Sequence, residues 1–292
     1  MHCLRRSKLF VPANRPDLMD ESRNTAADAL SFDLEDTVPN TEKASARNTL
    51  VRFLESFGET EKERIVRVNS LSSGTMLEDL FAIVGSNIDV VNIPKVESPR
   101  DIFVCEEILA YLELKRNINK KIEILPTLET PTGIRKALEI ATSSPRVTAL
   151  QLGVGDLTKI MGMKPASYRF TYPRMVILYA AAEAGIGALD GVYTNLDDLE
   201  GFEAEAAESY ALGFQGKSCI TSSQVEIANR IFSPSQKEIH EALEIIDAYE
   251  KAKAQGVGTT SCEGQLVDKP IAERAKRIAE IARKSGFIDP KA

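Results

Sequence analysis

Histidine is nearly missing from this sequence, with two among 292 residues. His2 sits at the terminus, where order is rarely kept. His240 falls in the charged helical pattern EIHEALEIIDAYEKA, which reads as a solvated face. Histidine chemistry is therefore not expected, and acid–base work falls to carboxylates, lysine or tyrosine. Any metal site has to be built from oxygen ligands, which favours Mg²⁺ or Mn²⁺ over Zn²⁺. Cysteine is sparse as well: Cys3, Cys105, Cys219 and Cys262 lie far apart with no CxxC pair. That spacing argues against a disulfide frame or a zinc site and for reduced thiols in the cytoplasm. A basic excess is also lacking, with 36 Lys and Arg against 43 Asp and Glu and a net charge of −7. Nucleic acid, which needs a basic surface to displace its counterions, is not an expected partner. A local basic pocket for an anionic ligand remains compatible with that charge. No apolar run is long enough for a membrane, since the stretch 175–192 is broken by Glu183, Gly185, Gly187 and Asp190. MHCLRRSKLFVP carries basic residues but no apolar core of a secretory leader. A cytoplasmic location with no membrane partner is the expectation.

What is present is a recurring short apolar run. Such runs fall at 7–12, 27–36, 63–69, 87–95, 121–129, 146–153, 184–192 and 211–220. Between them apolar residues recur at spacings of three and four, at 16–26, 41–57, 75–84, 99–116, 132–142, 157–161 with 173–184, and 196–210. Cap signals support several of these helices: Thr41 before Glu42, Ser98 before Pro99, and Asn195 opening NLDDLEG. Continuous apolar strands joined by helices imply a parallel sheet covered on both faces. Eight such units fit an α/β fold of the (β/α)₈ TIM-barrel type, which usually takes about 250 residues. An open doubly wound sheet competes, but GVGD at 153–156 is not a GxGxxG fingerprint, so a dinucleotide site has little support. The expected division is a catalytic barrel over 1–222 and a helical extension over 223–292. The Gly-, Ser- and Thr-rich stretch GVGTTSCEGQLVDKP in that extension reads as a mobile lid loop.

Chemistry in such barrels gathers at the C-terminal strand ends. The polar residues expected there are Glu35 and Asp36, Arg67 and Asn69, Lys95, Glu129, Asp156, Asp190 and Lys217. A lone acid after a strand is as often a helix cap as a functional group, which is the plain reading of Asp36 and of Asp156. Glu129, in PTLETPTG, does not suit that reading. Convergent carboxylates repel one another unless a cation or a proton relieves them. Glu129 and Asp156 end neighbouring strands, and two hard oxygen ligands with water and substrate suit Mg²⁺. Such an ion chelates a 2-oxo acid and acts as Lewis acid and template. Arg67 then adds fixed positive charge where an enolate or alkoxide develops. The alternative electrophile is a Schiff base on Lys217 or Lys95.

LFVPANRP, FDLEDTV, KASAR, RVN, NIPKVE, LPTLETPTG, LGVGDLT, GFQGK and SPSQKEIHEA, in this order, resemble the citrate lyase β-subunit-like branch of the HpcH/HpaI aldolase superfamily. The resemblance covers nearly the whole chain. It implies a (β/α)₈ barrel, trimeric or hexameric, that uses Mg²⁺ to cleave or form the C–C bond between a 2-oxo acid and an acyl-CoA thioester. It implies Glu129 and Asp156 as metal ligands that also bind substrate, and Arg67 as the substrate-binding arginine. Glu35 and Asp36 match the acids that support metal-bound water and substrate. Asp268, in GQLVDKP, matches a lid aspartate that completes a neighbouring subunit's site and serves as the acid or base at the enolate carbon. Thr221 and Ser222 in CITSSQV depart from the histidine and proline of the resemblance, in a loop that shapes the thioester pocket. The expected reaction is lysis of a malyl- or citramalyl-type thioester. A class II-type aldolase for free hydroxy-oxo acids, a citryl-carrier-protein lyase subunit and a non-enzymatic degenerate subunit are the alternatives.

Overall fold

Strands that are apolar on both faces need cover on both sides, and a closed parallel barrel supplies it. The computed structural model describes residues 4–85, 87–163 and 170–289, so His2 and Cys3 lie outside the described residues. The strands are β1 (Ser7–Pro12), β2 (Ala29–Asp33), β3 (Glu63–Arg67), β4 (Val90–Ile93), β5 (Glu123–Leu128), β6 (Ala149–Leu152), β7 (Gly187–Asp190) and β8 (Gly216–Cys219). Each pairs in parallel with the next, and β8 closes on β1. The eight expected runs are these eight strands.

The helices between them are α1 (Pro16–Ser22), α2 (Lys43–Ser56), α3 (Met76–Ile83), α4 (Pro99–Lys115), α5 (Pro131–Arg135), α6 (Ala137–Ala141), α7 (Val154–Met161), α8 (Thr171–Ala184) and α9 (Leu199–Leu212). Ser98 forms a capping box with Asp101 at the start of α4, as its position before Pro99 suggests. Two other cap expectations are corrected. Glu42, not Thr41, occupies the N-cap of α2, and Asp198, accepting from the Gly201 N–H, caps α9 three residues after Asn195.

Register fixes which side chains enter the barrel. Ala29, Ile65, Val90, Leu125, Ala149 and Leu189 form a fully buried apolar layer. On its N-terminal side Arg5 plugs the barrel, with Glu63 at 2.6 and 2.7 Å, Glu123 at 2.8 Å and Thr148 at 3.2 Å. On the C-terminal side lies a polar layer. Lys8 Nζ donates to Gln151 Oε1 at 2.8 Å and Asn92 Oδ1 at 3.3 Å, and Asn92 Nδ2 donates to Thr127 Oγ1 at 2.8 Å.

Parity also corrects the list of rim residues. Leu189 faces inward and pairs with Gly216, so Asp190 and Lys217, which pair with each other, face outward. Both are fully buried. Lys217 Nζ meets Asp190 at 2.8 Å and Glu205 on α9 at 2.6 Å, and Arg174 on α8 meets Asp190 at 2.9 Å. Burial alone would lower the Lys217 ammonium, but Asp190 and Glu205 outweigh it and hold the group above the usual lysine range. A charged, paired lysine on the outer face is not a Schiff-base nucleophile.

The chain divides into two compact units, Met1–Asn229 and Arg230–Ala292. Helix α10 (Ser222–Ile231) runs across the division. The second unit holds α11 (Gln236–Ala254), β9 (Thr260–Cys262), β10 (Gln265–Val267) and α12 (Lys269–Lys284). The stretch expected as a loop is thus partly a hairpin. Its two-residue turn places Glu263 at φ 46° and Gly264 at φ 80°, the left-handed pair a tight hairpin needs. Tyr249, Val267 and Ala272 form this unit's buried cluster, with Ile245 and Cys262 packed against it. Among the described residues Cys105, Cys219 and Cys262 are free thiols.

Candidate active site

The C-terminal mouth of the barrel opens into a cavity of about 600 Å³. Arg67, Glu129, Asp156 and Asp36 line it, as do Thr221 and Ser222. Of the six expected site residues, the mouth gathers Glu35, Asp36, Arg67, Glu129 and Asp156. Asp268 belongs to the second unit, where its carboxylate caps α12 by accepting from the Ile271 N–H at 3.1 Å.

Glu129 follows β5 and is 4% exposed. Its Oε1 accepts from the Lys95 backbone N–H at 2.7 Å. Burial, and then the charge of Glu35, push its carboxyl up to about 7. Its side chain lies across Gly153 at the end of β6. A Cβ on Gly153 would sit 2.4 Å from Glu129 Cβ and Oε2, so only glycine allows this approach. Asp156 stands in the first turn of α7, whose N-cap is Gly153, so it is not the cap. Asp156 Oδ2 lies 3.0 Å from Lys95 Nζ but makes no hydrogen bond of good geometry.

Lys95 is the residue both acids touch. It follows β4 with φ 54°, a left-handed conformation rare for a residue with a Cβ. Its ammonium contacts Glu35, Asp36 at 3.4 Å and Asp156. Burial would lower this amine, but the hydrogen bond and charge of Glu35 hold it above the usual lysine range. Glu35 itself is 6% exposed, and burial raises its carboxyl. Asp36 stands at the rim with its side chain 57% exposed.

Arg67 ends β3, in register with Asp33 at the end of β2. Nε and Nη2 each donate to one oxygen of Asp33 at 2.7 Å, and Nη1 lies 3.1 Å from Glu35. Asp33 is fully buried and also accepts from the Glu35 N–H at 2.8 Å, the Thr37 N–H at 3.1 Å and the Thr37 hydroxyl at 2.6 Å. Burial would raise its carboxyl, yet Arg67 and these donors hold it below the usual range. Lys43 holds the other side of this turn, donating to the carbonyls of Leu34 and Glu35 at 2.8 Å. Asp33 and Lys43 were not among the expected site residues. Asp33 lies two residues beyond Ser31 on the same face of β2, a facing that only the barrel register shows.

Five carboxylates thus face two cations, Arg67 and Lys95. Among the described residues no three His, Cys, Asp or Glu side chains are arranged to hold an ion together. A cation here would take the two acids beside Lys95, Glu129 and Asp156, and complete its shell with water and ligand, as Mg²⁺ does. The all-oxygen donors and the unsatisfied Asp156 oxygen fit such an ion.

A closed (β/α)₈ barrel with a carboxylate-lined, arginine-bearing C-terminal mouth defines the class. The chain belongs to the HpcH/HpaI aldolase/citrate lyase family, whose model matches residues 6–222. It is 37% identical to citrate lyase subunit beta of Leuconostoc mesenteroides subsp. cremoris, over 98% of this chain and 96% of that one. It is 33% identical to L-malyl-CoA/beta-methylmalyl-CoA lyase of Rhodobacter capsulatus, over 96% of each. Among solved structures, protein CitE of Mycobacterium tuberculosis in complex with magnesium, acetoacetate and coenzyme A matches with a TM-score of 0.73. That match has 28% identity and covers 96% of this chain and 97% of the other.

Proposed function

We propose that this protein is a Mg²⁺-dependent carbon–carbon lyase for β-hydroxyacyl-CoA thioesters of the malyl or citramalyl type. It would split them into a 2-oxo acid and an acyl-CoA, or join the two. The observation that carries this reading is that Glu129, just after β5, and Asp156, in the first turn of the helix after β6, both contact Lys95 and line one cavity with Arg67. The magnesium and coenzyme A of the CitE complex and the malyl-CoA lyase relative support it. Glu129 and Asp156 are the residues that would hold Mg²⁺, with Mn²⁺ able to replace it. Bound there, the ion supplies Lewis acidity toward the carboxylate and adjacent oxygen of the 2-oxo acid portion.

The remaining work belongs to the chain. Arg67, immobilised by Asp33, presents fixed positive charge to the oxyanion that develops as the C–C bond breaks. Glu35 and Asp36 orient water and substrate at the mouth. Asp268 protonates the enolate carbon, or removes that proton in the synthetic direction. In this reading Asp268 comes from a partner subunit's lid, so the protein acts as a trimer or hexamer, and the lid excludes water that would hydrolyse the thioester. A cytoplasmic location is part of the proposal. Among the described residues no helix is long and apolar enough to cross a membrane.

A second reading, lysis of a citryl group on a carrier protein, is favoured by the 37% identity to a citrate lyase beta subunit. Turnover of malyl-, citramalyl- and hydroxymethylglutaryl-CoA with Mg²⁺, with and without chelator, tests the proposal. Chelator-sensitive cleavage of the first two is expected. Cleavage only of carrier-bound citryl thioester would favour the second reading, and chelator-resistant turnover would reject both.

A further inference from the structure

The parallel ladder between β2 and β3 is interrupted just before Glu35. Leu34 donates its N–H to the Arg67 carbonyl at 2.9 Å, and a regular ladder would return the Asn69 N–H to the Leu34 carbonyl. Asp79, in the first turn of α3, takes that N–H instead. Its Oδ2 accepts from the Asn69 N–H and from Asn69 Nδ2, each at 2.7 Å. The other hydrogen of the Asn69 amide goes to the Leu34 carbonyl, at 3.0 Å. A side chain has thus replaced the backbone donor of that carbonyl.

The replacement is costly, since Asp79 is fully buried and Asn69 nearly so. Arg47 of α2, 2.8 Å from Asp79 Oδ1, supplies the cation that a buried carboxylate needs. Lys43, one turn earlier on α2, adds a second donor to the Leu34 carbonyl and one to the Glu35 carbonyl, both at 2.8 Å. The motifs KASAR and RVN, which supply Lys43, Arg47 and Asn69, therefore converge with Asp79 on one turn. A polar cavity of about 390 Å³ lies beside it, lined by Glu35, Lys43 and Asn69. Water from that cavity could satisfy both carbonyls without the entropy lost in ordering a lysine and an asparagine. What the side chains add is a fixed direction. The residue they direct is Glu35, whose carboxylate meets Arg67 at 3.1 Å and also meets Lys95.

We infer that Asn69 is a positioning residue for the reaction. Clamped by Asp79 and acting with Lys43, it fixes the turn that sets the Glu35 carboxylate between Arg67 and Lys95. This inference rests on the proposed lyase reaction, in which Glu35 orients water and substrate.

Turnover of malyl- and citramalyl-CoA by the full-length protein at saturating Mg²⁺, beside calorimetric titration of Mg²⁺, tests it. The Mg²⁺ stoichiometry counts folded molecules, so kcat is expressed per intact site. Asn69→Leu is expected to lower kcat per site by roughly tenfold or more, as misplacement of a reacting group does. Mg²⁺ affinity should stay near that of wild type, because the hydrogen bonds of Asn69 do not reach Glu129 or Asp156. Asp79→Asn should cost a similar factor, and the double variant no more than the larger single loss, since Asp79 acts through Asn69. Lys43→Met should lower kcat and Lys43→Arg recover most of it, because a guanidinium also offers several donors. A purely structural role would lower melting temperature and stoichiometry while kcat per site held. Unchanged kcat per site in Asn69→Leu, or additive losses in the double variant, would overturn the inference and leave the lyase reading in place. If the wild type binds Mg²⁺ and cleaves neither thioester, the lyase reading falls and this inference with it.

Discussion

Arg67 and Asp33 meet through two parallel hydrogen bonds of 2.7 Å, from adjacent inward positions at the ends of β3 and β2. The pair fixes the guanidinium plane and leaves Nη1 toward Glu35. Phe10 packs under the same guanidinium, 4.9 Å from ring centre to Cζ. Asp33→Asn removes the bidentate charge partner of a guanidinium that is 12% exposed and leaves it Glu35 at 3.1 Å. Loss of one member of such a pair typically costs about 3–5 kcal/mol. Urea unfolding should show a drop of that order. A loss below about 1 kcal/mol, the range of surface pairs, would mean that Arg67 is held by something else.

Lys95 is expected to compete with a divalent ion for the same acids. Its ammonium touches Glu35, Asp36 and Asp156, and Lys95→Met leaves them without that charge. With chelator present the variant should melt at lower temperature than wild type, because like charges lose their counter-ion. Added Mg²⁺ should then raise its melting temperature by more than it raises the wild type's, and calorimetry should show tighter Mg²⁺ binding. Weaker binding would instead mark Lys95 as a strut that holds Asp156 in place.

The barrel was legible because most of its strands sit in short apolar runs that alternate with helical spacing, and counting them placed Glu129 and Asp156 after neighbouring strands. The facing of strand ends was not legible. Asp190 and Lys217 lie in strands covered on both sides, so no apolar–polar alternation says which residue points inward. Only the register of Leu189 with Gly216 turns them outward. Asp33 was hidden for the same reason, at the end of a strand buried at every position. Lys95 was read as a strand-end residue, but its contact with these acids depends on a backbone at φ 54°, which no residue preference announces. In the second unit the Glu263–Gly264 turn was readable as a hairpin signal, but its flanking strands have three residues each, too few to show a period.

Glu129 trades stability for function. Its carboxylate is buried, and both that burial and Glu35 oppose its charge. Glu129→Gln keeps an oxygen to accept from the Lys95 N–H and removes the charge. With chelator at pH 8 the variant should be more stable, by about 1 kcal/mol or roughly 2–4 °C. The same variant should show no Mg²⁺-induced rise in melting temperature and no lyase turnover. A variant that kept the Mg²⁺ response would exclude Glu129 as a ligand.

Acid should weaken the outer network around Asp190. Burial would raise this carboxyl, but Lys217 and Arg174 outweigh burial and hold it far below the usual range. A depressed folded value means the stabilisation is complete above the unfolded value of about 4 and is lost as pH falls below it. Unfolding free energy followed from pH 5 downward should therefore fall more steeply in wild type than in Asp190→Asn. The variant will be less stable at pH 7, since Lys217 and Arg174 lose their shared anion. Equal slopes for the two proteins would show that Asp190 is not a source of the acid sensitivity.

Gly153→Ala separates the fold from the site. The added methyl would stand 2.4 Å from Glu129 Cβ and Oε2 and 2.9 Å from Thr127 Cγ2, well inside van der Waals contact. Gly153 has φ −100°, which alanine adopts freely, so the backbone itself resists nothing. Rotating the Glu129 carboxylate toward the cavity it lines relieves the Oε2 contact, but its Cβ is fixed to the backbone, so the ends of β5 and β6 must also part slightly. The barrel should remain folded, with unchanged far-ultraviolet circular dichroism and a clear loss of melting temperature. Mg²⁺ affinity, read by calorimetry, should drop at least tenfold because one ligand has left its place. A variant that binds Mg²⁺ like wild type would mean that Glu129 does not need the position it holds across Gly153.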